Sequence, residues 1–402
     1  MVQEHAEVLK YPLPNEHTLE PPAAWAELRG KCPVAHVTFP SGDAARLLTR
    51  YDDVKALLAD PRFERSGTGE DAARISAGEY DALTNSEMAA VLPGSGEGHL
   101  VWRRQLNKWF TAKQMARLRP RIAETAERLV NEMTAKGAPA DLKADLGFPL
   151  PVWVICEILG VPESDRDKFS YWSDTMLNLD RYTADEMRAS QAEFTAYLAA
   201  HVAAKREHPG DDLLSELAND PEFPFPDAAL IATGQGLLVA GHETTANMIG
   251  KMTAMLLADR SRWEALLADP TLVRPAVEEA LRLDVNAGFG MIRYVDQEIA
   301  IAGETIAPGT TVVCSMAAAN RDEAVFDNAA EMDLARTPNP HLAFGAGLHS
   351  CLGQALARTE LQVTLEVLLR KLPTLELAVP ESDLEKVEGL LVGGLVAVPV
   401  RW

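Results

Sequence analysis

Phe344-Gly345-Ala346-Gly347-Leu348-His349-Ser350-Cys351-Leu352-Gly353 places one cysteine where a glycine-rich loop runs into a predicted helix, Cys351 to Lys371. Gly345 and Gly347 permit backbone angles closed to other residues, so amide N–H groups can converge on the sulfur. A helix N-terminus behind it favours the anionic thiolate. Such a sulfur is a strong axial ligand for heme iron and pushes electron density toward bound dioxygen. Taken without its context, a lone buried cysteine is most often a small core residue. Two other loop chemistries drop out. Ser350 stands where a dinucleotide-binding GxGxxG run needs its last glycine, and His349 precedes the cysteine, the reverse of c-type heme attachment.

With all its usual fixed positions present, Phe344 to Gly353 resembles the heme-binding loop of the cytochrome P450 family. Other segments agree in order along nearly the whole chain, from Tyr51-Asp52-Asp53-Val54 to the loop after Leu390. The resemblance implies a mainly α fold: a single large helical domain, residues 1–402, with small peripheral β-sheets. It also implies heme b, held between a long central helix and the cysteine loop, with Cys351 as iron ligand and Phe344, Gly345 and Gly353 shaping its bed.

Upstream, a helix beginning at Pro226 and running about thirty residues to Leu257 carries Ala240-Gly241-His242-Glu243-Thr244-Thr245 in an otherwise apolar stretch. Gly241 weakens the helix, and the Thr244 hydroxyl can bond back one turn, which suits a kink with room for dioxygen. By itself the stretch also suits an ordinary buried helix whose polar groups satisfy one another. A zinc-protease HExxH is excluded, since Ala246 stands where the second histidine belongs. The resemblance makes Glu243 and Thr244 the catalytic acid–alcohol pair that delivers protons.

Glu279 and Arg282, three apart on a predicted helix, share a face. Alone they are an exposed ion pair; by resemblance they are the family's ExxR pair, meeting Arg336 in a structural role, and Asn320-Arg321-Asp322 matches a further family segment. His99, Arg103, Arg293 and His349 resemble the family's contacts to the heme propionates. By the same layout Gly234, Leu238, Ala240, Asn286, Phe289 and Val392 line the substrate pocket. The Pro93-Gly94-Ser95-Gly96-Glu97-Gly98 run, Asp327-Asn328 and the glycines of 286–290 depart from the family's pattern.

Composition sets the remaining bounds. With 47% apolar and 24% charged residues over 402 positions the chain is a globular protein. A net charge of −21 argues against nucleic acid as a partner. One stretch, Arg103 to Arg121, holds seven Arg or Lys and no acid; it is either a solvated helix face or a docking surface for an acidic partner. The four cysteines, Cys32, Cys156, Cys314 and Cys351, show no zinc-like spacing and no disulfide framework. Met1 to Lys10 lacks the apolar run of a signal peptide, and Gln235, His242, Glu243 and Lys251 interrupt the most apolar helix. No membrane association, a cytoplasmic location and a monomer are therefore expected. The region 65–98, rich in Gly, Ser and Glu, reads as a mobile lid loop.

The function implied is a heme-thiolate monooxygenase, an oxidoreductase that spends O2 and two electrons to oxidise, most simply to hydroxylate, a small natural-product-like molecule. No flavin or iron–sulfur motif is present, so NAD(P)H acts only indirectly, through a separate ferredoxin and its reductase docking near Arg103–Arg121. Oxidative C–C or C–N coupling on the same heme is the alternative outcome. A peroxide-driven peroxygenase is a rival that usually lacks the acid–alcohol pair. A heme sensor or carrier is the non-enzyme rival, and oxygen-dependent turnover separates it.

Overall fold

The computed structural model describes residues 8–15, 17–63, 72–75, 91–92, 94, 96–177, 182–221, 225–285, 289–387 and 393–402. Most of the expected lid loop, together with Asn286 and Val392, lies outside the described residues. The chain folds into two compact units, Met1–Thr84 with Glu278–Cys351, and Asn85–Val277 with Leu352–Trp402.

The first unit is built on a five-stranded sheet whose order is Leu9–Lys10, Val34–Thr38, Ala44–Leu48, Thr310–Cys314, Met291–Val295. Ala44–Leu48 runs parallel to Thr310–Cys314, pairing Leu47 with Val313, and Met291–Val295 lies antiparallel on the other side, pairing Arg293 with Val312. Alternation of side chains gives the sheet two apolar faces. One packs Leu48, Val312 and Cys314 with Val54, Leu57 and Leu58 of the helix Tyr51–Ala59. The other packs Leu47, Val313 and Ile292 with Tyr11, Trp25 and Phe39. A hairpin, Ile299–Ile301 with Glu304–Ile306, turns on Ala302 and Gly303 at φ 52° and 80°, the paired left-handed residues that match strand twist in a two-residue turn.

The second unit is helical. Around the long helix Asp227–Ala258 lie Ala112–Lys136, Pro149–Leu159, Arg166–Leu177, Ala184–Glu207 and the terminal helix Gln354–Lys371. The long helix is buried on most of its surface, and glycines let neighbours come close. A Cβ on Gly241 would lie 2.5 Å from Ile155 Cδ1, and one on Gly234 3.3 Å from Leu198 Cδ1. Phe169, Trp172, Phe194 and Tyr197 form an aromatic cluster, with Trp172 stacked on Phe194 at 4.8 Å. Ala140–Asp141, Pro399–Arg401 and Glu376–Leu377 make a three-stranded sheet.

Several elements differ from expectation. The terminal helix starts at Gln354, because the Cys351 amide is taken by Phe344 O at 2.8 Å and the chain turns before the helix begins. Arg293 lies inside a strand rather than ahead of one; a charged residue at an inward position masks the alternation of Met291–Val295. Val34–Thr38 and the helix Ala24–Lys31 emerge from a proline-rich stretch that gives no clear periodicity. The long helix is continuous through 240–245, and the small size of Gly241 also admits Ile155. Cys156 and Cys314 are fully buried, and burial pushes each thiol up to about 12. Cys32 is half-buried and Cys351 exposed. Among the described residues no helix is long and apolar enough to cross a membrane.

Candidate active site

In the first unit the cysteine loop is held by backbone geometry. Gly345 and Gly347 take φ of 70° and 72°, the left-handed region expected of them. Gly347 has a second reason to be glycine: a Cβ there would lie 2.5 Å from Ala59 Cα and 3.0 Å from Leu58 O. The loop thus rests on the C-terminal end of the helix Tyr51–Ala59. That helix is anchored in turn by Asp322 Oδ2, which accepts the Tyr51 amide at 2.9 Å. Gly353 keeps an ordinary φ of −82°. Phe344 and His349 are half-buried, and the Phe344 ring lies 5.9 Å from His341.

Behind the loop, Glu279 gathers donors from four residues. Arg282 Nε and Nη2 meet its two oxygens at 2.8 and 2.7 Å, Arg336 Nε reaches both at 3.0 and 3.1 Å, and Asn339 Nδ2 and the Asp333 amide each donate at 3.0 Å. Glu279 and Arg282 are 0% exposed, so the pair is internal rather than a surface bridge. The remaining Arg282 hydrogens go to the carbonyls of Asn320, Ala329 and Glu331. Burial raises the Glu279 carboxyl, but the hydrogen bonds from Arg282, Asp333 and Arg336 outweigh it and hold the group below the usual range. Asn320 Oδ1 also receives the Leu342 amide at 2.6 Å, tying this cluster to the chain that enters the cysteine loop. Asn339 and Asn320 were not assigned these roles from sequence; their signal was only their proximity to Arg336 and Arg321.

Arg293 is buried in its strand, 1% exposed. Among the described residues its only hydrogen bond is to Ile292 O at 3.0 Å, and its Nε has no partner. Burial lowers its pKa, the mark of a guanidinium without a compensating anion. Phe289 packs edge-on against Tyr11 and Phe39 at 5.9 and 6.3 Å, and its carbonyl accepts the Tyr11 hydroxyl.

In the second unit the long helix presents Ala240 and Thr244 as exposed residues in an otherwise buried stretch. Thr244 Oγ1 donates to Ala240 O at 2.6 Å, the bond one turn back that the sequence suggests. Glu243 is buried and its Oε1 accepts from Asn247 Nδ2 at 2.9 Å. Burial raises the Glu243 carboxyl, while Lys143 and the Asn247 bond pull it down and Asp174 pushes it up. His242 Nδ1 is 2.7 Å from Ser173 Oγ, and burial takes its pKa down to about 3, so it is neutral. Gly234 faces Leu198 and Leu238 is fully buried. His99 is buried against the Trp102 ring at 5.8 Å, and Arg103 is half-buried on the same helix. Of the basic stretch, Arg117 pairs with Asp211, Arg119 with Glu366 at 2.6 Å, Arg121 with Glu157, and Lys108 with Asp220 at 3.6 Å.

The family model described as cytochrome P450 matches residues 167–393. The mycinamicin IV hydroxylase/epoxidase of Micromonospora griseorubida is 40% identical over 402 residues, covering 99% of both chains. The chain belongs to the cytochrome P450 family. Nocardicin C N-oxygenase of Nocardia uniformis subsp. tsuyamanensis is 38% identical over 98% of each chain. Among solved structures, a putative thioether synthase involved in the tailoring step of griseoviridin superposes with a TM-score of 0.91 at 38% identity, covering 99% of this chain and all of that one. As a P450 the protein is a monooxygenase-type oxidoreductase, and the family carries heme and uses dioxygen. The residues present fit that group. Arg293 is a buried cation that wants a carboxylate such as a heme propionate, and Cys351 leaves its loop exposed to take a metal.

Proposed function

We propose that this P450 oxygenates a natural-product intermediate, most simply by hydroxylation, using dioxygen and two electrons delivered by a separate ferredoxin and its reductase. The relatives support the substrate class: they are named for hydroxylation and epoxidation of mycinamicin IV, N-oxygenation of nocardicin C and a tailoring step of griseoviridin. Cys351 would hold heme b through its thiolate, with Arg293, His99, Arg103 and His349 toward the propionates. The heme, when bound, supplies the two-electron activation of dioxygen.

What the chain's own residues contribute is proton delivery, and the observation that carries the reading is the Glu243–Thr244 pair. Glu243, raised by burial, holds a proton at its carboxyl nearer neutrality than an exposed acid does. Thr244 Oγ1 stands exposed beside it and keeps a fixed orientation through Ala240 O. A peroxide-driven enzyme or a silent heme carrier has no use for this pair. The Arg103–Arg121 stretch is the proposed ferredoxin face; its paired arginines remain largely exposed, with side-chain exposures of 58%, 38% and 56% at Arg117, Arg119 and Arg121. Intramolecular partners limit how far their charge reaches.

The test is the dithionite-reduced carbon monoxide spectrum of the purified protein beside Cys351→Ala. A strongly red-shifted Soret band lost in the variant is expected, followed by oxygen- and ferredoxin-dependent product from a panel beginning with mycinamicin IV and nocardicin C. An unshifted band, or turnover with peroxide alone and none with ferredoxin, overturns the reading.

A further inference from the structure

Two lysines of the second unit are turned inward. Lys143, in the π-helical turn Lys143–Gly147, places Nζ 2.6 Å from Leu395 O; Lys251, on the long helix, places Nζ 3.0 Å from Gly393 O. The residue between those carbonyls, Gly394, abuts Asn247 so closely that a Cβ there would collide with its side-chain amide. Asn247 is the residue that donates to Glu243. Glu243, Asn247 and Lys251 recur at intervals of four along the helix and share one face, with Gly250 beside them. Lys143 meets this face: its Cβ is 4.0 Å from the point where Gly250 would carry one. Two ammonium groups, two backbone carbonyls and an amide are therefore gathered along the helix face that carries the Glu243 carboxyl.

We propose that Lys143 is a positioning residue for Glu243, held by the Leu395 carbonyl and backed by Lys251 on Gly393, so that the Gly393–Leu395 segment and proton delivery are mechanically tied. This deepens the reading of Glu243 as a proton carrier and rests on it. Lys143 and Glu243 attract each other, and Lys143 is itself lowered by burial. The other groups bearing on Glu243 are Asp174, from the helix Arg166–Leu177, and Lys251, which acts through its repulsion of Lys143. His242, next to Glu243, is neutral, and the helices Pro149–Leu159 and Ala184–Glu207 present Ile155 and Leu198 to the long helix. The terminal helix, packed on the same helix, carries the buried Glu360. A hollow of about 280 Å³, lined by Asp141, Lys143, Ala144, Phe148 and Val396, opens beside Lys143.

The experiment uses the ferric holoenzyme, with assembly of each variant checked by its carbon monoxide spectrum. The protonated-carboxyl infrared band that Glu243→Gln abolishes is titrated against pH in wild type, Lys143→Gln, Lys143→Met and Lys143→Arg. In parallel, with electrons supplied through ferredoxin and its reductase, the fraction of consumed oxygen released as hydrogen peroxide is followed against pH. Lys143→Gln keeps a donor and removes the charge; the band's midpoint and the peroxide profile should both move to higher pH, Lys143→Met should do the same, and Lys143→Arg should restore both. Wild-type midpoints in the two neutral variants, with Glu243→Gln still releasing more peroxide, would overturn the role of Lys143 alone. Unchanged peroxide release in Glu243→Gln overturns the proton-carrier reading, and this proposal with it.

Discussion

Arg282 and Glu279 face each other through two parallel bonds of 2.8 and 2.7 Å inside the protein, neither side chain touching solvent. The geometry is the bidentate fork that only a guanidinium provides. Removing one partner leaves the other charged, buried and uncompensated. Glu279→Gln strands Arg282 and Arg336 together and should cost about 3–5 kcal/mol. Chemical denaturation of the holoprotein measures it, and a loss under about 1 kcal/mol would show the cluster to be dispensable. The pH sense follows from the lowered Glu279 carboxyl: its contribution is present above the ordinary carboxyl pKa and lost as pH falls through the folded-state value.

Gly347 at φ 72° is hemmed in by backbone atoms of Leu58 and Ala59. Backbone cannot step aside as a flexible side chain does. Gly347→Ala adds about 1–2 kcal/mol of left-handed strain to that collision and should displace the cysteine loop. The ratio of Soret to protein absorbance should drop, while Gly30→Ala, in the helix Ala24–Lys31 with open space around its Cβ position, should leave the ratio near wild type.

Thr244→Val preserves shape and removes both the hydroxyl and its bond to Ala240 O. If the hydroxyl handles protons, product per oxygen consumed should fall by up to on the order of 10²-fold with peroxide rising in its place. Substrate binding, read as the spin-state change, should stay as in wild type. Equal losses in binding and turnover would point to a packing role.

Glu360, on the terminal helix, is fully buried with neither carboxylate oxygen partnered among the described residues. Burial alone raises its pKa well above the ordinary carboxyl value. The folded state therefore favours the protonated acid, and that stability, complete below the ordinary pKa, is lost as pH rises through the folded-state value. Glu360→Gln cannot ionise. Its melting temperature should fall less steeply with rising pH than that of wild type, and parallel curves would place an unseen cation beside the carboxyl.

Local patterns made much of this legible in advance. The Ala184–Glu207 helix falls where its periodicity puts it, because Thr183 and Glu186 form a reciprocal cap at its start. The left-handed Gly345 and Gly347 and the Thr244 back-bond follow from residue type and spacing alone. What escaped depends on chain segments distant in sequence. Nothing near Arg293 announces that its strand pairs with Thr310–Cys314, and a charge in mid-strand reads as a break. Asn339 sits 60 positions from the carboxylate it serves, and Lys143 some 250 from the carbonyl that holds it; only the fold brings such pairs together.

The four cysteines are unequal in a way that gives the protein an internal gauge of its own maturation. Cys156 and Cys314 are sealed in the interior with thiols pushed up to about 12, so alkylating reagents pass them by in the native state. Cys32 is partly accessible and Cys351 is exposed; heme held at Cys351, as proposed, would shield that sulfur. Iodoacetamide labelling followed by peptide mass mapping would then count Cys351 adducts as unloaded molecules, with Cys32 as the reference for reagent exposure. The residue proposed as the heme ligand would thereby mark the empty chains in any preparation.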